Sequence, residues 1–148
     1  MEPYLITCRD EYDFAKSRGF EPLLDRKNFA LEIHLRVAIQ KELFWHNATT
    51  GGVSRANEIF YRWVWANKRH QCEETMIPLE NYAACFVSHI LTRGAHPEMA
   101  HDPRNTNILC FSAHEKWENG KRSEMRIYPA NLKIMELLVT DYNGLKNE

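Results

Sequence analysis

The stretch that decides how this chain reads is Ala84-Cys85-Phe86-Val87-Ser88-His89-Ile90-Leu91, followed by Asn107-Ile108-Leu109-Cys110-Phe111 and Ser112-Ala113-His114-Glu115. The first two runs are short, apolar and rich in branched or aromatic residues, which fits strands rather than helices. Between them Thr92 to Thr106 holds Gly94, Pro97 and Pro103 and has no apolar period. A connection of that length inside a compact domain is uncommon unless it is functional or disordered. The third run has a capping-box pattern, in which the Ser112 hydroxyl satisfies an orphan amide and Glu115 reaches back. His114 then falls in the first turn of a helix, with Glu118 one turn on and on the same face. The expected order is strand, long loop, strand, helix, with a histidine near the end of the first strand and another at the start of the helix.

Outward from this centre the pattern turns helical. Asn28 to Trp45 places Leu31, Leu35, Ala38, Ile39 and Leu43 at spacings of three and four, with Glu32, Arg36, Lys41 and Glu42 between them. Asn47 to Gly52 breaks that helix, because paired glycines favour a turn. Ser54 is the expected cap of a second helix, whose Ala56, Ile59, Phe60, Trp63 and Val64 form a core-facing stripe. Packing explains those aromatics better than stacking on bases. Near the C-terminus Leu132, Met135, Val139 and Tyr142 repeat the spacing, and Asn143-Gly144 is the expected stop. The expected fold is α+β and mainly helical, a single domain over 1–148. A helical region spans 1–70, a ββα core 71–122, and a C-terminal helix 123–148.

Composition narrows the function. The 148 residues are 44% hydrophobic and 26% charged, a globular balance that excludes disordered, collagenous and coiled-coil classes. No apolar run reaches the ~18–20 residues of a membrane-spanning helix, so no membrane partner is expected. Met1-Glu2-Pro3-Tyr4 has no basic segment leading into an apolar one, which argues against a secretory signal. Four scattered cysteines, Cys8, Cys72, Cys85 and Cys110, then read as reduced thiols of a cytosol-like compartment. The formal net charge of −1 advertises no polyanion partner, so local cations would have to attract one.

Ser88-His89-Ile90, Asp102-Pro103-Arg104-Asn105 and the run from Asn107 to His114 together resemble the HNH endonuclease family, built on the ββα-metal (His-Me) finger. Asn105 and His114 stand nine positions apart, as in the family pattern. The resemblance covers roughly 70–122 and implies a central ββα-metal finger flanked by N-terminal and C-terminal helices. It also implies a divalent-metal-dependent hydrolase acting on phosphodiester bonds of duplex or branched DNA, in the cytoplasm of a bacterial or phage-infected cell. His89 matches the family's general base, since a neutral imidazole suits proton abstraction near neutral pH. Asn105 matches the residue whose amide fixes the loop.

His114 matches a metal ligand, and Glu118 stands where a further ligand can sit, with a solvated helix-face carboxylate as the alternative. Ser88 occupies the place of an acidic or histidine ligand, and its neutral hydroxyl is a poor ligand for a hard cation. Magnesium is the expected ion, with manganese, nickel or zinc as alternatives. His96 and His101 read as ordinary loop side chains. Arg93, Arg104, Lys116, Lys121 and Arg122 are the candidate phosphate contacts, although neighbouring acids nearly cancel them.

Family members with a structural zinc carry two Cys-x-x-Cys pairs, whereas this chain keeps half of each, Cys72-Glu73-Glu74-Thr75 and Cys110-Phe111-Ser112-Ala113. Two thiolates do not fill a tetrahedral site, so no structural zinc is expected. Ser88 and the near-neutral charge also admit another reading: a catalytically weak or inactive HNH fold that binds nucleic acid or serves in a larger assembly. Specificity and oligomeric state are not legible.

Overall fold

The computed structural model describes residues 33–46 and 51–146, without the side chains of His34, Leu35, Ile39, Glu42, His46 and Lys146. The predicted start of the first helix at Asn28 and its stripe positions Leu31, Leu35 and Ile39 lie outside that description. Helix α1 runs Ile33–Gln40 and continues as a π-helical segment over Lys41–His46. Helix α2 is Gly52–Asn67, strand β1 Val87–His89, strand β2 Thr106–Ile108, helix α3 Phe111–Glu118 and helix α4 Tyr128–Lys146. Among the described residues the architecture is α+β, with four α-helices and one two-stranded antiparallel sheet. Val87 faces Ile108, Ser88 faces Asn107 and His89 faces Thr106 across it.

The expected stripe of α2 forms: Ala56, Phe60 and Val64 are buried, with Ile59 and Trp63 half-buried. Its start differs from expectation. Gly51, not Ser54, is the cap, in a left-handed conformation with φ of 93°. A side chain there would bring a Cβ within 2.8 Å of Arg55 Cβ, so glycine is required on both counts. Phe44 packs edge-on to Phe60 at 5.0 Å, and these rings join Ile90, Ile108, Leu109, Trp117, Leu138 and Tyr142 in one apolar cluster.

Three more expectations are corrected. The predicted strands shrink to three residues each, because Ala84–Phe86 coils into a 3₁₀ turn before β1. The cap of α3 is Cys110 rather than Ser112, and the expected capping box of Ser112 and Glu115 does not form. In α4 the buried face is Asn131, Ile134, Leu138 and Tyr142, while Leu132 and Val139 are exposed, and the helix runs through Gly144 to Lys146. Asn131 is inside because it exchanges amide hydrogen bonds with Asn107, at 2.8 and 3.2 Å. A polar anchor therefore sets the helix's rotation.

A hook before the sheet completes the frame. Gln71 pairs with Pro78, and the Glu73 carboxylate accepts hydrogen bonds from Asn107 Nδ2 at 3.0 Å and from the Ile108 amide. Buried Lys68 donates to the Thr106 carbonyl at 2.7 Å and lies 3.7 Å from Glu73. Burial pulls its ammonium below the ordinary lysine range, which the Glu73 charge and hydrogen bond partly reverse. Glu74 accepts from the Arg126 and Ile127 amides, both at 3.0 Å, tying the same hook to the approach to α4.

Candidate active site

His89 closes β1, and the loop after it is held in a defined path by 3₁₀ turns at Pro97–Met99 and Pro103–Asn105. The Asn105 side chain fixes both ends of that path. Its Oδ1 accepts from the Leu91 amide at 2.7 Å, while Nδ2 donates to the carbonyls of Leu91 at 2.9 Å and Met99 at 3.3 Å. One side-chain amide thus ties Leu91 to Met99 across the loop.

The held loop presents the Ala100 carbonyl to His89 Nε2 at 2.8 Å. A carbonyl only accepts, so Nε2 carries the proton and Nδ1 keeps the lone pair. The ring stacks on Phe60, with centroids 6.2 Å apart, and meets Tyr61 edge-on at 5.9 Å. Burial lowers the His89 pKa below 6.5; the Ala100 hydrogen bond opposes this, the Arg93 and His114 charges add to it, and Glu118 counters weakly.

His114 lies in the first turn of α3. Its Nδ1 is 2.6 Å from the Cys85 carbonyl and Nε2 is 2.9 Å from Glu118 Oε1. The carbonyl assigns the Nδ1 proton, which leaves Nε2 and a carboxylate oxygen face to face. Two acceptors this close need a positive centre, either a second ring proton or a cation bound by both. Ligands in neighbouring octahedral positions on ~2.1 Å bonds sit ~3.0 Å apart, but an Nε2–H aimed at the carboxylate accounts for 2.9 Å equally well, so His114 and Glu118 are two side chains that could hold a cation and not a formed metal site. Among the described residues no group of three or more His, Cys, Asp and Glu side chains is gathered for a metal. An open site sharing its ion with substrate is what this pair can form.

Other expected residues are placed elsewhere. Ser88 is 1% exposed, its Oγ without a hydrogen-bond partner among the described residues, and strand alternation turns it to the face opposite His89. It is not placed as a ligand. Arg104 is 3% exposed and bound to Asp102 and Asp141, so it is no phosphate contact. Arg122 is drawn onto the Trp117 ring at 4.7 Å and donates to the Trp117 carbonyl at 2.8 Å. Lys116 and Lys121 are exposed, and exposed Arg93 donates to the Tyr61 hydroxyl at 2.9 Å, beside His89.

His96 pairs with Glu98 at 3.6 Å and is an ordinary loop side chain, as expected. His101 is not. Its Nδ1 accepts from Trp45 Nε1 at 3.0 Å and its Nε2 bonds Asn57 Oδ1 at 2.6 Å, locking a neutral tautomer. Burial, helped by the His89 and Arg93 charges, lowers its pKa to about 4. Sequence reading missed Tyr61, Trp45, Asn57 and the Ala100 carbonyl. The first three meet the loop across long sequence separations that no local spacing signals, and Ala100 acts through a backbone carbonyl that leaves no mark in the residue type.

In comparisons with known proteins, no family model, no curated protein and no solved structure matches the chain. Among the described residues no helix is long and apolar enough to cross a membrane.

Proposed function

We propose that the chain is a divalent-metal-dependent endonuclease of the HNH type that hydrolyses phosphodiester bonds in DNA. The observation that carries this reading is the His89 imidazole, whose Nε2 is held by the Ala100 carbonyl, which leaves a lone pair on Nδ1. In the reaction His89 Nδ1 removes a proton from the attacking water. Asn105 keeps the loop, and so the Ala100 carbonyl, in register, which holds the ring at one orientation. His114 and Glu118 would hold the cation, which when bound supplies compensation for charge on the leaving oxygen. Arg93 and Lys116 offer positive charge to the flanking phosphates.

Nicking of plasmid DNA with added magnesium or manganese, abolished by a chelator, is the expected assay result. His89→Ala should lower the rate by ~10²–10⁴-fold, the usual contribution of a general base. Cleavage at the parental rate by that variant would remove the assignment. A second reading, an inactive HNH fold that binds nucleic acid, is favoured by the burial of Ser88, which leaves only His114 and Glu118 as ligands. Salt-sensitive DNA binding with no cleavage under any divalent ion would select it.

A further inference from the structure

Behind the loop that carries the Ala100 carbonyl lies a cavity of about 460 Å³, within the range of small-molecule sites. Val37, Trp45, Val53 and Leu145 give it apolar walls. Its floor includes Ala100 and His101, so one backbone segment both holds His89 and closes the cavity. The Trp45 ring is 39% exposed, yet its Nε1 is tied to His101, and His101 to Asn57, so the flat face is fixed in place.

Two features point to a ligand with polar edges and negative charge. Gln40 lines the cavity and is 5% exposed, and among the described residues its Nε2 has no partner of hydrogen-bonding geometry. A buried amide donor left without a partner is costly, and an acceptor on a ligand would satisfy it. Arg93 lines the same cavity and reaches Tyr61, which touches the His89 ring, so one guanidinium spans the cavity and the candidate active site. Lys41 adds a second cation to the rim, and Glu98 opposes them there.

A flat aromatic wall, a buried amide donor and an arginine on the side toward His89 are what a heterocyclic base with its phosphate requires. We propose that this cavity receives one unpaired nucleobase of the strand on which His89 acts, so that the preferred DNA carries a bulged or single-stranded nucleotide beside the scissile phosphate. The inference rests on the nuclease reading for its substrate class, and its test is independent of cleavage.

The probe is a DNA duplex with a single bulged 2-aminopurine, titrated in chelator so that nothing is cut. The full chain should quench the fluorophore on binding and should bind this duplex about tenfold or more tightly than one with an abasic bulge, since base stacking on an aromatic is worth about that much. Trp45→Ala should abolish both effects. Because that change also removes the His101 hydrogen bond, Val53→Met serves as the second variant; Val53 is 60% exposed, so a longer, non-aromatic side chain there obstructs the cavity without disturbing the core or adding a quencher. Equal affinity for base-bearing and abasic bulges, or undiminished quenching with Val53→Met, overturns the proposal. Equal cleavage of bulged and paired DNA without quenching overturns it too and leaves the nuclease intact. Quenching lost in Val53→Met supports it even where no metal yields cleavage, in which case the nuclease reading alone fails.

Discussion

Asn105 grips Leu91 through both ends of its side-chain amide, accepting from the backbone N–H at 2.7 Å and donating to the carbonyl at 2.9 Å. A third bond, to the Met99 carbonyl at 3.3 Å, carries the grip to the far side of the loop, next to the residue that orients His89. The chain thus converts one buried amide into control over an imidazole it does not touch.

Asn105→Asp isolates that control. The carboxylate can still accept from Leu91 but cannot donate to either carbonyl. Two lost donations in a buried setting should lower unfolding stability by ~2–3 kcal/mol. With the base misaligned, kcat should fall ~10²-fold while KM for DNA changes little. A matching urea titration and steady-state assay separate the two effects. Full activity in a destabilised but folded variant would deny Asn105 its positioning role.

The acid limb of the rate tests the environment of His89. In the proposed reaction neutral imidazole is the base, and burial holds its pKa below 6.5. Activity should therefore stay level as pH falls through 6.5 and decline only at lower values. A kcat/KM profile with its acid limb at or above 6.5 would contradict the buried, desolvated ring.

His101 gives a stability counterpart. Its folded pKa of about 4 lies below the unfolded value of 6.5, so the unfolded chain binds the extra proton first. This contribution is complete above pH 6.5 and is lost as pH falls toward 4, on the order of 3 kcal/mol at ~1.4 per pH unit. His101→Gln can keep an acceptor for Trp45 and a donor for Asn57 but cannot titrate. Chemical denaturation at pH 7 and pH 4.5 should show a smaller loss for this variant than for the parent. Identical losses would place the acid sensitivity elsewhere.

How much of this could be read from the sequence follows from which interactions are local. The α2 stripe through Ala56, Phe60 and Val64 was legible because helical burial repeats every three or four residues. His89, Asn105 and His114 were legible as a spaced set on expected elements. The rotation of α4 was not, since the polar Asn131 goes inside to meet Asn107 and turns Leu132 and Val139 outward. The burial of Ser88 was not legible either, since neighbouring strand residues face opposite ways and the interval to its neighbours does not say which faces inward. Arg104 was misassigned for another reason. Its counter-charges include Asp141, on a distant helix, and no window around Arg104 contains it.

That counter-charge cluster makes Arg104 and Arg93 separable. Arg104 donates to Asp102 at 2.8 Å and to Asp141 at 2.6 Å, Arg36 lies 4.0 Å from Asp102, and Tyr142 donates to Asp102 at 3.0 Å. Burial alone would raise the Asp102 pKa, but the Arg104 and Arg36 charges outweigh it and hold it at about 2. Arg104→Gln should cost ~3–5 kcal/mol, the usual result of breaking a buried pair from one side. Arg93→Gln should leave stability within ~0.5 kcal/mol yet weaken DNA binding and reduce the salt slope by about one. A stable Arg104→Gln with a reduced salt slope would reverse the assignments.

The two half-motifs at Cys72 and Cys110 allow a constructive test. Cys72 Sγ accepts from the Thr75 amide at 3.4 Å, and Cys110 Sγ lies 3.4 Å from Ser112 Oγ and 3.9 Å from Thr75 Oγ1. Burial pushes the Cys110 thiol up, but hydrogen bonds from Ser112, the Ala113 amide, Cys72 and Thr75 together bring it below its ordinary range. The two turns therefore face each other. Thiolates in a tetrahedral zinc site with ~2.3 Å bonds stand ~3.8 Å apart, close to the Thr75–Cys110 separation. Thr75→Cys combined with Ala113→Cys should then create a four-thiolate site. Cobalt substitution should give tetrahedral thiolate absorption, and zinc should raise the melting temperature of the double variant, more than that of either single variant or the parent. A double variant that folds but takes up cobalt no better than the parent would show that the turns do not converge as these distances require.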